Sequence, residues 1–317
     1  MKQYLEIYRK NLFESVIPFW MNHSIDTECG GYFTCLDEKG AVFDDSKYVW
    51  LQARQVWTFA KLYNTVREDP QWLAIAEHGM HFLRKCARLP DGRVCFSTDR
   101  EGQPKAIQRK IFSECFLLLA LAEMYRATRE EIYRGEAVAL LNLIEQFISE
   151  PELLGRPILP GARATRNLAI PMIYLNLIEE MDGILDEEDL KVKRESSIHE
   201  TLAHLDPDLK VFRENLDDNG IFNDLPEGRL INPGHSIEAC WFLLHAAGRC
   251  ELPEIWVTIL EALQGSLSLG WDHDEDGLFY FIDADGKPPR QLEWSMKLWW
   301  PHTEALYALA LAFTLTG

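Results

Sequence analysis

Apolar residues recur at three- and four-residue intervals along most of the chain. Trp50, Trp57 and Leu62 flank Arg54; Ile111, Phe112, Phe116, Leu119 and Met124 make a second stripe; Trp241, Phe242 and Leu244 make a third. This spacing predicts amphipathic helices. Between the helical stretches a glycine-punctuated loop carrying an aromatic residue recurs. It runs from Gly30-Gly31-Tyr32-Phe33 to Gly40, from Asp91-Gly92 through Phe96 to Gly102, from Asn219-Gly220-Ile221-Phe222 to Gly228, and from Asp276-Gly277-Leu278-Phe279 to Gly286. A degenerate copy runs from Leu154-Gly155 to Gly161. The interval of about sixty residues suits one helical hairpin plus a short β-like loop, and a fixed period signals repeat architecture.

The helix after each loop is richer in aromatic and small residues than the helix before it, which predicts an inner and an outer ring. Hairpins stacked side by side bury one face of each helix against a neighbour. The expectation is a single all-α domain over 1–317, an α/α toroid. About ten helices in five hairpins are expected, with the chain ending after the helix that opens near Pro301. A closed ring of six hairpins needs one more, so the last hairpin is expected to be missing. An open row would then expose apolar faces at its ends.

Composition adds mainly exclusions. The 317 residues carry 32 Lys and Arg against 50 Asp and Glu, a net charge of -18, which repels phosphate backbones and anionic lipid surfaces. Nucleic acid and membranes are not expected partners. Glu6, Arg9, Lys10 and Glu14 interrupt the apolar positions of the first twenty residues, which do not read as a signal peptide, so a cytoplasmic protein is expected. The seven cysteines form no CxxC pair and read as reduced core residues. No Gly-rich phosphate loop, GxSxG elbow or HExxH occurs. Asp272-His273-Asp274-Glu275-Asp276 reads as a hairpin turn rather than a metal site, its spacing not being that of an EF-hand.

Three constellations lie where helices open. In Asn232-Pro233-Gly234-His235-Ser236-Ile237-Glu238, Pro and Gly mark a helix N-terminus, with His235 in the first turn and Glu238 one turn on. The helix N-terminus favours a neutral His235, while Glu238 pushes its pKa back up; a helix cap with a surface ion pair is the alternative. In Trp299-Trp300-Pro301-His302-Thr303-Glu304, Trp300 and Glu304 share a helix face, an aromatic wall beside a carboxylate that suits a sugar. Two core tryptophans and a solvated acid would look the same. Trp50, Arg54 and Trp57 fall on one stripe, where a charge among aromatics is costly unless paired or used. A buried ion pair of Arg54 with Glu238 or Glu304 is the alternative there.

The chain resembles the N-acylglucosamine 2-epimerase family. The resemblance is carried by Gly30-Gly31-Tyr32-Phe33-Thr34-Cys35-Leu36-Asp37, Lys47-Tyr48-Val49-Trp50-Leu51-Gln52-Ala53-Arg54-Gln55-Val56-Trp57, Pro233-Gly234-His235-Ser236-Ile237-Glu238 and Lys297-Leu298-Trp299-Trp300-Pro301-His302-Thr303-Glu304, in the family's order over nearly the whole chain. It implies an isomerase that opens the sugar ring and inverts carbon 2, interconverting N-acyl-glucosamine and N-acyl-mannosamine. It further implies His235 as one of two catalytic histidines, Glu304 as the essential carboxylate and Arg54 as the arginine that holds the sugar oxygens. Glu238 matches the acid that supports the first histidine. Trp50, Tyr32, Trp300 and His302 are the remaining residues expected to bind substrate. No cofactor is required and no metal is expected; ATP enters only as a candidate effector, and a homodimer is implied. The family's second histidine opens a last inner helix that this sequence does not reach, so impaired inversion is expected.

The chemistry suits these residue types. A proton beside a carbonyl is acidic only if the enediolate oxygen is stabilised, as Arg54 can do, and an imidazole is a suitable base. Two other classes stay open at this stage. An inverting glycosidase would use two carboxylates roughly 6.5–9.5 Å apart, for which Glu238 and Glu304 are available, and a sugar-binding protein would use the fold without turnover. An aldose-ketose isomerase or a cellobiose 2-epimerase-like activity is a nearer alternative.

Overall fold

The computed structural model describes residues 2–155, 161 and 163–316. The chain forms two compact units, Met1–Pro157 and Ile158–Gly317, and both are built on one plan.

In the first unit α1 (Lys2–Asn11) and α2 (Ile17–His23) run on through a π-turn, Leu12–Val16. Pro18 has no N–H to return to the preceding turn, and the widened turn lies just before it. Then come α3 (Val49–Thr65), α4 (Pro70–Cys86), α5 (Phe112–Thr128) and α6 (Glu131–Ser149). The second unit holds α7 (Ala169–Glu180), α8 (Glu187–Leu202), α9 (Pro233–Arg249), α10 (Trp256–Gly270) and α11 (Trp299–Thr316). Counting α1 and α2 as one run gives ten helical runs among the described residues, as the periodicity predicts. Short links join α3 to α4, α5 to α6, α7 to α8 and α9 to α10, and long loops with small antiparallel strands join the rest. Caps fix several starts: Asp69 accepts from Gln71 N at the head of α4, Asp186 from Asp189 N at α8, and Asn232 from His235 N at α9. Each satisfies an N–H that the first turn leaves open.

The helices that follow long loops pack on each other within each unit, α3 on α5 and α9 on both α7 and α11. Buried residues of these helices contribute to the cores: Val56, Ala60, Leu118, Leu121 and Met124 in the first unit, Leu175, Ile237, Leu243 and Ala246 in the second. Full burial of each larger aliphatic side chain contributes about 1.5–3 kcal/mol. All seven cysteines are free thiols, four of them buried. Exposed apolar residues collect on α1 (Tyr4, Leu5, Tyr8) and on α11 (Leu306, Tyr307, Leu309, Phe313). No described helix is long and apolar enough to cross a membrane.

The loops repeat more regularly than the glycines suggest. Each of four loops closes a first turn by pairing Ile25 with Tyr32, Arg88 with Val94, Leu205 with Phe212 or Trp271 with Leu278. A second turn follows, always Asp-x-x-Gly: Asp37 to Gly40, Asp99 to Gly102, Asp217 to Gly220 and Asp283 to Gly286. In each the glycine N–H donates to the aspartate carbonyl and takes a φ between +72° and +94°, a region open to glycine at little steric cost. This corrects the phase of one repeat. Gly220 matches Gly40, Gly102 and Gly286 and not Gly30 or Gly277. The first turn of that loop was hidden because Lys210, at φ +56°, stands where Gly30, Gly92 and Asp276 stand in the others. The degenerate copy ending at Gly161 lies largely outside the described residues, which omit 156–160.

Strands stitch one loop to the next. β1 (Lys47–Tyr48), just before α3, pairs with β2 (Ser97–Thr98) of the following loop; β3 (Thr165–Asn167), before α7, pairs with β4 (Asn215–Asp217); β5 (Leu230–Ile231), before α9, pairs with β6 (Ile282–Asp283). A cation secures the aspartate of three first turns. Asp26 binds Lys47 and Arg100, Asp206 binds Arg213, and Asp272 binds Lys297. Burial opposes charge on Asp26, but Arg100 and Lys47 outweigh it and hold its carboxyl well below the usual range.

Candidate functional site at the opening of the loop-following helices

One hydrogen bond recurs at the head of these helices and sets a common frame. The N–H of Tyr32 donates to Gln52 Oε1 at 2.8 Å, that of Val94 to Glu114 Oε1 at 3.0 Å, that of Phe212 to Ser236 Oγ at 2.8 Å and that of Leu278 to His302 Nε2 at 2.9 Å. Gln52, Glu114, Ser236 and His302 therefore hold equivalent positions, each pinning the first turn of its own loop. Two residues further on, at the next equivalent position, stand Arg54, Phe116, Glu238 and Glu304; two residues before the pin stand Trp50, Phe112, Gly234 and Trp300. Most of the residues singled out in the sequence thus fall on two columns of one repeat.

The second unit assembles a cluster at the head of α9. His235 precedes the pin, and its Nδ1 lies 2.8 Å from Oε1 of Glu214, a carboxylate 5% exposed in the loop between Phe212 and β4. Burial lowers the His235 pKa, but Glu214, with Glu238 and Glu304 adding to it, raises it to about 9. The neutral imidazole expected from the helix N-terminus is thus overridden by carboxylates. Trp300 lies against the imidazole, ring centroids 5.4 Å apart, and Tyr280 meets Trp300 edge-on at 6.2 Å. Gly234 makes room for this wall, since a Cβ there would sit 2.5 Å from the Trp300 ring. Glu304 accepts from Trp241 Nε1 at 2.8 Å. An imidazole between a carboxylate and an indole wall, with two further acids in range of its charge, is equipped for proton transfer on a polyhydroxylated ligand.

In the first unit Arg54 is exposed at the surface of α3. Its guanidinium stacks 4.4 Å from the Phe116 ring centroid and 5.3 Å from that of Trp50, so the stripe of aromatics around it serves as a cation–π platform.

Two residues expected to bind substrate are placed differently. Tyr32 is fully buried; its hydroxyl donates to Ile75 O at 2.6 Å, and it fills a slot opened by Gly79, where a Cβ would lie 2.2 Å from that hydroxyl. It belongs to the core of the first unit. His302 commits both ring nitrogens to backbone, Nε2 accepting from Leu278 N and Nδ1 donating to Leu298 O at 2.6 Å. Trp299 is 74% exposed, not a core residue. The run at Asp272 is a turn, Asp272 accepting from Asp274 and Glu275 N–H and paired with Lys297.

Glu214 was missed. Its partner lies 21 residues away, and the one signal available was the repeat phase: with Lys210 read as a turn residue, Glu214 aligns with Phe96 and Tyr280, which also border the head of a helix.

The profile described as N-acylglucosamine 2-epimerase (GlcNAc 2-epimerase) matches residues 31–159 and 196–317. The chain belongs to the N-acylglucosamine 2-epimerase family. It is 42% identical to the N-acylglucosamine 2-epimerase of Mus musculus, covering 100% of this chain and 78% of that protein, and 44% identical to that of Homo sapiens, covering 96% and 73%. Among solved structures it is similar to cellobiose 2-epimerase from Bacillus thermoamylovorans, with a TM-score of 0.84 at 20% identity over 100% of this chain and 83% of that one. That likeness is one of fold, and it puts the chain in the α/α-toroid class.

Proposed function

We propose that the chain is a sugar 2-epimerase that interconverts N-acyl-D-glucosamine and N-acyl-D-mannosamine by moving the proton on carbon 2 of the open-chain sugar. The observation that carries this reading is the His235 cluster. One ring nitrogen is tied to Glu214, which leaves Nε2 for chemistry, and Trp300 beside it offers an indole face for a sugar.

In this reading His235 exchanges the carbon-2 proton and Glu304, steadied by Trp241, handles the hydroxyl protons of ring opening. Glu238 adds negative charge near the imidazole. Trp300 stacks on an apolar face of the sugar, and Trp50 carries over from its motif as a substrate-binding aromatic. Arg54 carries over from its motif as the cation for the enolate oxygen on carbon 1, whose stabilisation is what makes the carbon-2 proton acidic. This proton chemistry asks for no cofactor, and ATP would act only as an effector. The reading takes the protein to be a cytoplasmic homodimer acting on free sugar. A hydrolase built on Glu238 and Glu304 would leave the His235–Glu214 pair without a task.

Proton NMR of the purified protein with N-acetylmannosamine in deuterated water tests the proposal. Loss of the carbon-2 proton signal together with formation of N-acetylglucosamine is the expected result. Exchange at carbon 2 needs one acid–base group, whereas inversion needs proton transfer on both faces of the planar intermediate, so the two signals are read separately. Absence of both with N-acyl-hexosamines would overturn the reading.

A further inference from the structure

The repeated loop supplies an internal control on Glu214. Thr34, Phe96, Glu214 and Tyr280 occupy the same place, two residues beyond the buried residue of the first turn. In the last three the backbone does the structural work. Phe96 N donates to Ala106 O and its carbonyl accepts from Val49 N at the head of α3; Glu214 N donates to Leu230 O and its carbonyl accepts from Leu168 N ahead of α7; Tyr280 N donates to Trp294 O. None of the other three copies carries a charge at this position: Thr34 is a small hydroxyl residue, Phe96 packs on Tyr48 and Tyr280 on Trp300. The fold therefore does not ask this position for charge. An acid stands there in the copy that leads into His235, it is nearly buried, and among the described residues its ion-pair partner is His235. Burying a carboxylate is costly unless it is paired, so this charge is explained by the imidazole it faces.

We propose that Glu214 is a positioning residue for proton transfer: by accepting the Nδ1 proton it fixes the ring of His235 and balances an imidazolium, so that His235 meets the substrate as a proton donor through Nε2. The inference rests on the reading of His235 as the carbon-2 proton-transfer group. In the donating direction the Nε2–H bond breaks, the electron pair of the enolate forms the C2–H bond, and the carbonyl at carbon 1 re-forms. In the reverse direction the neutral ring takes the carbon-2 proton, and the C–H electron pair moves into the enolate, whose charge rests on the carbon-1 oxygen. The other titratable groups facing His235 are Glu238 on its own helix, Glu304 from α11, and Tyr280, which lies against Trp300 and feels the charge of Glu214. All three remain when Glu214 alone is changed.

Glu214→Gln keeps an acceptor of the same size and removes the charge. Two readouts are needed, the NMR titration of the His235 ring and the pH profile of kcat/KM in both directions of epimerisation. The wild type should titrate near 9, and kcat/KM should show a limb at that pH with the same shape in both directions, as the pH-independent equilibrium between two neutral epimers requires. In Glu214→Gln the ring titration and both limbs should move down by about one unit or more, the scale of one close opposite charge, and Glu214→Asp should restore most of the shift. An unmoved His235 titration overturns the role of Glu214. A titration that moves while the kcat/KM limbs stay put shows that His235 is not the proton-transfer group, which sinks the proposed function and leaves the ion pair as mere structure.

Discussion

The heads of α9 and α11 each carry a histidine, and the two do different things. His302 stands at the pin of its repeat, where Gln52, Glu114 and Ser236 stand in the others, and both its nitrogens hold backbone. His235 stands one residue before the pin of its own repeat, with Nδ1 on a carboxylate and its face against Trp300. One residue along a helix is a rotation of about 100°, from the loop side toward the next helix. Residue type says little about which histidine does chemistry, and register within the repeat says a good deal.

The comparison can be broken at several points. The largest effect should come from Glu304→Gln, which sits in the column of Arg54 and Glu238: epimerisation should fall about 100-fold or more, the range for loss of an acid–base group, with unchanged circular dichroism. Gly234→Ala should come next. Its Cβ collides with Trp300 and with Pro301, so the cost in stability should be about 1–3 kcal/mol by urea denaturation, with KM raised because the indole wall is displaced. His302→Ala should cost about 1–3 kcal/mol by leaving the buried Leu278 N–H unpaired. His302→Gln, the residue type found at the equivalent Gln52, should recover much of it.

The smallest effect concerns pH. His235 has a folded pKa raised to about 9 from an ordinary 6.5, so its pairing contributes stability that is fully present below 6.5 and lost as pH rises through 9. The stability of the wild type over Glu214→Gln should accordingly shrink between those values, by about 1 kcal/mol. A difference that grows with pH in that window would contradict the assignment.

Much of this was legible in the sequence. The helical periodicity marked ten runs, and Pro233-Gly234 announced the head of α9 and put His235 and Glu238 in its first turns. The rest failed for physical reasons. Tyr32 follows two glycines and reads as a loop aromatic, but Gly79, 47 residues on and in another helix, opens the slot that buries it. Lys210 adopts a left-handed φ without the glycine that usually signals one, which shifted the apparent phase of its loop and hid Glu214. His302 looked like a ligand-facing residue because the motif around it carries function. Its hydrogen bond to Leu278 depends on how the loop folds back onto α11, which no local pattern records.

Position in the repeat separates the working histidine from the structural one. Carbon-2 deuterium exchange, measured for His235→Gln and His302→Gln side by side per mole of folded protein, tests this. A loss of about 100-fold or more is expected for His235→Gln, and a rate within a few-fold of wild type for His302→Gln. Near-normal exchange in His235→Gln, or a collapse confined to His302→Gln, would contradict it.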